Sequence, residues 1–173
     1  MFIDIHQDPN TIYPGTGFVH QIGEGEGKGF TVNIPMPVGA GNDSYELVFD
    51  SIASPITSEF QPQIIIRNGG SDPHLYDGLT DLGLTIEEFR MIGERVRELS
   101  TICGDRVIDL IASGYDRQIL PLGLTSGLKG INMQLEEPER ISQQYMSDSA
   151  YIETERVVDE VKDKLKERWS CLR

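Results

Sequence analysis

Gln63-Ile-Ile-Ile-Arg67, followed at once by Asn68-Gly-Gly-Ser-Asp72, is the stretch that decides the fold. A short apolar run between Pro62 and a pair of glycines is typical of a strand buried in the middle of a parallel sheet. The same arrangement recurs in Arg106-Val-Ile-Asp-Leu-Ile111, which is followed by Ser113-Gly-Tyr-Asp116. Parallel sheets bind ligands beyond the carboxyl ends of their strands. The two polar loops are therefore the places to look for a functional site.

Strand-like and helix-like segments alternate along the rest of the chain. Residues 1–6 and 30–34 are predicted strands, and the second is expected to be ended by Pro35 and Pro37 because proline cannot donate to a strand ladder. Apolar residues recur at helical spacing in four segments, which start near Asn42 or Asp43 as caps, near Thr85, at 117 and at 149. Pro55 is predicted to kink or break the first helix. This alternation predicts an α/β protein with a mainly parallel sheet.

Composition limits the class of protein. With 38% apolar and 25% charged residues, the 173-residue chain fits a globular domain. Its net charge of −13 disfavours binding to nucleic acid and would attract a cationic substrate, although solubility alone would also explain it. We find no apolar run near the roughly 20 residues of a membrane helix and no signal peptide, so we expect a cytoplasmic protein with no membrane partner. Cys103 and Cys171 form no Cys-x-x-Cys motif, and we expect both to be reduced thiols.

The composition of the last forty residues suggests a division into segments. We predict an α/β domain over 1–133, a linker over 134–148 and a C-terminal helix over 149–173. The linker prediction depends on polar, irregular sequence, and the helix prediction on apolar residues spaced among charges.

The loop after the first decisive strand carries candidate metal ligands. Asp72 and His74 are two residues apart, and a carboxylate and an imidazole both suit zinc. Spacing alone is a weak signal for a ligand, because an aspartate in a turn usually caps a backbone group. Asp77, which precedes Gly78, is interpreted as a turn residue.

The loop after the second decisive strand carries a candidate catalytic group. Tyr115 follows Gly114 at the strand end, where its hydroxyl could stabilise a developing oxyanion or the ring could simply pack on the loop. The glycine-rich run at 23–29 lacks the Gly-Lys-Ser/Thr of a phosphate loop and precedes a strand, so we interpret it as a flexible loop. His6 and His20 are interpreted as structural histidines.

Several motifs, taken in order, resemble the histone deacetylase and acetylpolyamine amidohydrolase superfamily. They are Phe2-Ile-Asp-Ile-His-Gln-Asp-Pro9, Tyr13-Pro-Gly-Thr-Gly17, Gly25-Glu-Gly-Lys-Gly-Phe-Thr-Val-Asn-Ile-Pro35, Asn68-Gly-Gly-Ser-Asp72, Asp81-Leu-Gly-Leu-Thr85 and Ser113-Gly-Tyr-Asp116. Their order and spacing are similar to those of the family's C-terminal half. The resemblance covers about residues 1–130 and implies a three-layer α/β/α, arginase-like deacetylase fold, present here in part.

The resemblance implies roles for individual residues. Asp72 matches the family's aspartate zinc ligand, and Tyr115 matches the tyrosine that polarises the substrate carbonyl. Tyr13 and Gly114 fall along the substrate channel. A structural potassium ion is implied, more faintly, at Asp4 and Ile5. The family removes acetyl groups from lysine side chains, polyamines or related amines with a zinc-activated water.

The chain departs from the family pattern in two respects. Ser71 stands where the family often has phenylalanine, which alters the packing beside the metal ligand. The family's Asp-x-His zinc ligands and its paired histidines lie upstream of the segment that matches Met1, and His74 matches no family ligand. We therefore expect the chain to be inactive alone and to need an N-terminal deacetylase half or a second copy of itself.

Three hypotheses follow from these observations. The first is the C-terminal part of a zinc-dependent deacetylase acting on an acetylated amine. The second is a non-catalytic binding or assembly module that kept the deacetylase fold, and the third is an unrelated small α/β enzyme. The sequence does not identify the acylated amine.

Overall fold

The computed structural model describes residues 1–132, 148 and 150–173. Apart from Asp148, the predicted linker at 134–148 lies outside the described residues. The chain forms two compact units, one of Met1–Glu59 with Asp148–Arg173 and the other of Phe60–Ser147. The division into domain, linker and terminal helix stays a prediction. Among the described residues, no helix combines the length and apolar character that crossing a bilayer requires.

Helices and parallel strands make up both units, which confirms the α/β prediction. The strands are β1 (Phe2–Gln7), β2 (Thr31–Met36), β3 (Ile65–Gly70) and β4 (Val107–Ser113). The helices are α1 (Asn42–Val48), α2 (Ser54–Phe60), α3 (Ile86–Ser100), α4 (Ile119–Ile131) and α5 (Tyr151–Leu165).

In the first unit, β1 and β2 pair in parallel, from Phe2 opposite Thr31 to Gln7 opposite Met36. Strand β2 ends at Met36, immediately before Pro37, so the expectation that prolines end the strand was right for Pro37 and wrong for Pro35. The carbonyls of Phe30 and Met36 accept N–H groups from the β1 side, each at 2.8 Å. In a parallel ladder alternate residues bond to a given neighbour, so Pro35 occupies a position whose missing N–H would not have faced β1.

Helix α5 packs against β2 and α1 and closes the core of the first unit. Burial of aliphatic side chains stabilises this core by about 1.5–3 kcal/mol for each one fully buried. The fully buried aliphatic and thioether side chains are Val32, Ile34, Met36, Val48, Ile52, Ile56 and Val161.

The start of α1 is held by a distant residue. Sequence analysis expected Asn42 or Asp43 as the cap, but Gly41 is the N-cap and neither side chain fulfils that role. Instead Asp148 Oδ2 accepts the N–H groups of Gly41 at 3.0 Å and Ser44 at 2.8 Å. The cap prediction was wrong because the carboxylate comes from a part of the chain more than 100 residues away.

The connection between α1 and α2 passes through a π-helical turn at Phe49–Ala53. Pro55 lies in the first turn of α2. The Ser54 N–H donates to the Phe49 carbonyl, five residues back, so helical hydrogen bonding continues through the turn up to the proline. The predicted break at Pro55 is therefore absent, and the helix instead changes to π-helical hydrogen bonding just before the proline.

In the second unit, β3 and β4 pair in parallel, from Ile65 opposite Val107 to Gly70 opposite Ser113. Arg67 and Asp109 face each other across the pair and form two hydrogen bonds, of 2.7 and 2.6 Å. Helices α3 and α4 pack against each other and contact β3.

The expectation of a strand buried on both faces was wrong for β3. Ile66 is 60% exposed, and on the same face of the neighbouring strand Ile108 is 45% and Leu110 48% exposed. The hydrophobic run correctly indicated a parallel strand. Such a run does not show whether both faces of the strand are covered by other elements of the same chain.

Candidate functional site

Asp72 lies directly beyond the carboxyl end of β3, beside the end of β4. The ladder continues one step past the strands, because the Ser71 N–H donates to the Ser113 carbonyl at 2.9 Å. The Ser113 hydroxyl donates to Asp72 Oδ1, and the Thr80 hydroxyl donates to the Asp72 carbonyl at 2.6 Å. Ser113 thereby orients the Asp72 carboxylate, and Thr80 holds the Asp72 backbone.

Two glycines allow the loops to approach so closely. A Cβ atom on Gly70 would lie 2.1 Å from Ser113 Oγ and 2.5 Å from Asp72 Oδ1. Gly114 has φ of +142°, and a Cβ there would lie 2.2 Å from Ser71 Oγ. A side chain at Gly70 would displace the Ser113 hydroxyl and the Asp72 carboxylate, and one at Gly114 would displace the Ser71 hydroxyl.

Tyr115 projects from the turn that follows Gly114 and is 64% exposed. Its N–H donates to Asp77 Oδ2 at 2.7 Å, and the N–H of Asp116 donates to the same oxygen at 3.0 Å. Asp116 Oδ1 accepts the N–H groups of Ile119 and Gln118 at the start of α4. These two backbone hydrogen bonds, that of Ile119 first, lower the pKa of Asp116. The backbone around Tyr115 is thus hydrogen-bonded to the Asp77 carboxylate, and the start of α4 that follows is hydrogen-bonded to the Asp116 carboxylate.

His74 lies in the interior of the second unit. It is fully buried, its Nδ1 accepts the Tyr76 N–H at 3.1 Å, and its ring stacks on Phe89 with centroids 6.2 Å apart. The weaker prediction that His74 binds metal stays untested.

The described residues do not complete a metal site. In the part of the chain that the structure describes, no three side chains of His, Cys, Asp or Glu are grouped to hold an ion. A catalytic zinc needs three protein ligands and an open position. Asp72 fits one of these three, since it is half-buried at a strand end and its carboxylate is oriented by Ser113.

The remaining predicted residues belong to the first unit. Tyr13 is 93% exposed. Asp4 Oδ2 lies 3.2 Å from His6 Nδ1, and His6 Nε2 lies 3.0 Å from the Gly17 carbonyl. Burial acts to lower the pKa of His6, but the hydrogen bond and charge of Asp4 and the Gly17 carbonyl outweigh it and raise the pKa. His6 is hydrogen-bonded as a structural histidine should be, and the potassium site at Asp4 and Ile5 stays a prediction.

Sequence analysis missed the second role of Asp77. Its Oδ1 accepts the Leu79 N–H at 3.0 Å, which is the expected turn contact, but its Oδ2 holds the backbone around Tyr115. Parallel pairing of the two decisive strands was a usable signal, because it brings the loops that follow them together. Spacing alone could not identify the partner, which is 38 residues away.

A known protein family and several known proteins match this chain. The histone deacetylase domain family matches residues 1–131. A probable deacetylase of Archaeoglobus fulgidus is 34% identical over 182 residues, covering 100% of this chain and 50% of the relative. A probable deacetylase of Methanothermobacter thermautotrophicus is 36% identical over 139 residues, covering 80% of this chain and 41% of the relative.

A solved structure agrees on the fold. The HDA15 HD domain superposes with a TM-score of 0.80 and 23% identity over 96% of this chain and 43% of its own. The chain spans half or less of the length of these proteins, consistent with a C-terminal half.

Proposed function

This chain belongs to the histone deacetylase family, and we propose that it supplies the Asp72 and Tyr115 part of an amide-hydrolase active site. One observation carries the proposal. The two residues that match the family's zinc ligand and its carbonyl-polarising tyrosine follow paired strand ends, and Ser113 and Asp77 connect the two loops. The proposed reaction is hydrolysis of an acetylated amine of the acetyl-lysine or acetylpolyamine type.

Tyr115 has the chemistry and the exposure for its proposed role. Its phenol O–H would donate to the carbonyl oxygen of the amide, where negative charge grows in the tetrahedral transition state. At 64% exposure the ring is accessible to a substrate. The net charge of −13 would favour the approach of a cationic amine. Tyr13 and Gly114 are proposed to border the substrate channel.

Zinc is proposed as the metal, with Asp72 as one ligand. Zinc would activate a water for attack on the amide. The described residues leave two ligands and a general base to be supplied from elsewhere. We therefore propose that the chain is inactive alone and is completed by a polypeptide that carries the family's Asp-x-His segment and paired histidines. A cytoplasmic location and a potassium ion at Asp4 and Ile5 are further parts of this proposal.

Reconstitution tests the proposal. The chain is co-expressed with the N-terminal half of the Archaeoglobus fulgidus relative, and zinc content and hydrolysis of an acetyl-lysine reporter are measured. We expect zinc and activity only in the combined sample. Tyr115→Phe should lower kcat by about 100-fold or more, as expected for losing one oxyanion donor, while zinc content is unchanged. Asp72→Ala should lose both zinc and activity.

Tyr76→Phe is the matched control. Tyr76 is also 64% exposed and directly precedes Asp77, but it has no role in the proposed reaction. It should leave kcat within about twofold, because it removes a hydroxyl with no proposed part in the reaction. Zinc and substrate binding without hydrolysis in the combined sample would instead favour a binding module. Hydrolysis by the chain alone that survives Asp72→Ala would refute the proposal.

A further inference from the structure

We infer that Asp77 is a positioning residue that sets the orientation of Tyr115, an inference that rests on the function proposed above. Asp77 is 5% exposed, and both of its carboxylate oxygens are used. Oδ1 accepts the Leu79 N–H at 3.0 Å. Oδ2 accepts the N–H groups of Tyr115 at 2.7 Å and Asp116 at 3.0 Å. One buried carboxylate thus joins the loop after β3 to the turn that carries the tyrosine.

The conformation of the turn at Tyr115 depends on this carboxylate because few other contacts restrain it. The β3–β4 ladder ends at the Ser71–Ser113 hydrogen bond, so strand pairing does not hold Tyr115. Gly114, with φ of +142°, lies between the ladder and the tyrosine and is the most permissive residue type for the backbone. The exposed ring of Tyr115 can contribute little packing. Hydrogen bonds to an ionised acceptor are about twice as strong as neutral ones, so Asp77 is the main restraint on this side of the turn.

Loss of the restraint should affect the rate rather than substrate binding. A shift of about 1 Å in a group that acts at the reacting centre can lower the rate about 100-fold. The phenol O–H is proposed to act chiefly on the transition state, and a misplaced donor of that kind lowers kcat with little change in KM. Asp77 itself touches neither substrate nor metal in this scheme.

Amide hydrogen exchange on the full 173-residue chain tests the geometry without any need for activity. In Asp77→Ala, the N–H groups of Tyr115 and Asp116 should exchange at least about tenfold faster, because both lose their acceptor. Asp77→Asn keeps one neutral oxygen acceptor and should give a smaller acceleration. This second variant carries the test if the alanine variant does not fold. Glu87→Ala, which removes an exposed acid in the first turn of α3, is the control and should leave both amides unchanged.

Kinetics of the reconstituted enzyme test the consequence. Asp77→Ala should lower kcat about 10- to 100-fold with KM within about twofold, and Asp77→Asn should fall between it and the unchanged chain. In the Tyr115→Phe background the same substitution should have little further effect on kcat. A general folding defect would lower activity equally in both backgrounds.

The outcomes separate the two claims. Exchange at Tyr115 and Asp116 no faster than in the Glu87→Ala control would overturn the inference, as would a fall in kcat that persists in the Tyr115→Phe background. If Tyr115→Phe leaves hydrolysis intact, the proposed function fails while the exchange data still decide whether Asp77 holds the turn.

Discussion

Three carboxylates bind backbone N–H groups of segments far away in the chain. Asp77 binds the turn of Tyr115, Asp148 binds the start of α1, and Glu59 binds the N–H groups of Ser170 at 3.0 Å and Cys171 at 2.7 Å. Each accepts backbone N–H groups for which regular secondary structure provides no acceptor at that point. Part of the acidic excess of this chain therefore has a structural use.

Glu59 gives the clearest pH prediction. The hydrogen bonds from Ser170 and Cys171 lower its pKa from 4.5 to about 2. A carboxylate whose pKa is lower in the folded protein stabilises the fold fully above its ordinary pKa and loses that contribution as the pH falls through the folded value. The difference in urea midpoint between the unchanged chain and Glu59→Gln should thus be largest at neutral pH. It should shrink below about pH 4.5 and vanish near pH 2.

The fluorescence of Trp169, the single tryptophan, can follow this unfolding. Trp169 precedes the two bound N–H groups and is buried, with Nε1 donating to the Gly29 carbonyl at 2.8 Å. Glu155→Gln, an exposed acid on α5, should leave the midpoint unchanged at every pH. A difference between the Glu59 variant and the unchanged chain that does not vary with pH would contradict the assignment.

Local motifs predicted the residues whose function depends on their own neighbours in sequence. Asp72 and Tyr115 each follow an apolar strand and a glycine, and the structure places both beyond paired strand ends. Asp77 and Asp148 could not be predicted in the same way, because their partners are defined only after the chain has folded. The ligands that would complete a metal site have no counterpart among the described residues.

At the scale of elements, α3 and α4 pack backbone against backbone through glycines. A Cβ on Gly130 would lie 2.2 Å from the Arg90 carbonyl oxygen and 2.7 Å from the Glu94 nitrogen. A Cβ on Gly93 would lie 2.1 Å from the Gly127 carbonyl oxygen. Because these neighbours are backbone atoms, a methyl group cannot be accommodated by a change of rotamer.

Gly130→Ala tests this packing. Alanine in a helix interior gains about 1 kcal/mol over glycine from propensity, and overpacking costs about 1–3 kcal/mol. We expect a net loss of up to about 2 kcal/mol in the free energy of unfolding, measured by urea denaturation followed by circular dichroism.

Gly78→Ala is the comparison, because a Cβ at Gly78 meets nothing within 4 Å. It should change the free energy of unfolding by less than about 0.5 kcal/mol. A Gly130→Ala chain more stable than the original would show that the two helices do not approach as closely as described.

The sequence predicted whether a segment is a helix or a strand where its periodicity was strong. It did not predict which faces of these elements are buried. The helix at 86–100 and the parallel strands were found from apolar spacing. That spacing does not determine what lies opposite a face, which is why β3 was expected to be buried.

At the scale of the whole molecule, the exposed apolar face of β3 and β4 is a candidate surface for binding another polypeptide. Ile66 and Ile108 are opposite each other in the register, and Leu110 extends the same face. Parallel sheets are normally covered on both faces. We propose that the complementing N-terminal polypeptide, or else a second copy of this chain, covers these residues.

Ile66→Lys combined with Ile108→Lys should abolish that association. We expect light scattering to show that the unchanged chain forms a complex with the N-terminal polypeptide, or a dimer by itself. The double variant should be a monomer in both samples. Ile152→Lys is the matched control, since Ile152 is 66% exposed on α5 but lies outside this sheet. A monodisperse monomer of the unchanged chain that stays unassociated with the complementing polypeptide would contradict the proposal.

The carboxylate of Asp148 at the start of α1 has a consequence for the synthesis of this protein. The first unit is built from residues at both ends of the chain, with the whole second unit between them. On the ribosome, β1, β2 and α1 emerge before the second unit, when their capping carboxylate and α5 have not yet been made. The second unit can fold while synthesis continues. The first unit can complete its core only after α5 has been made.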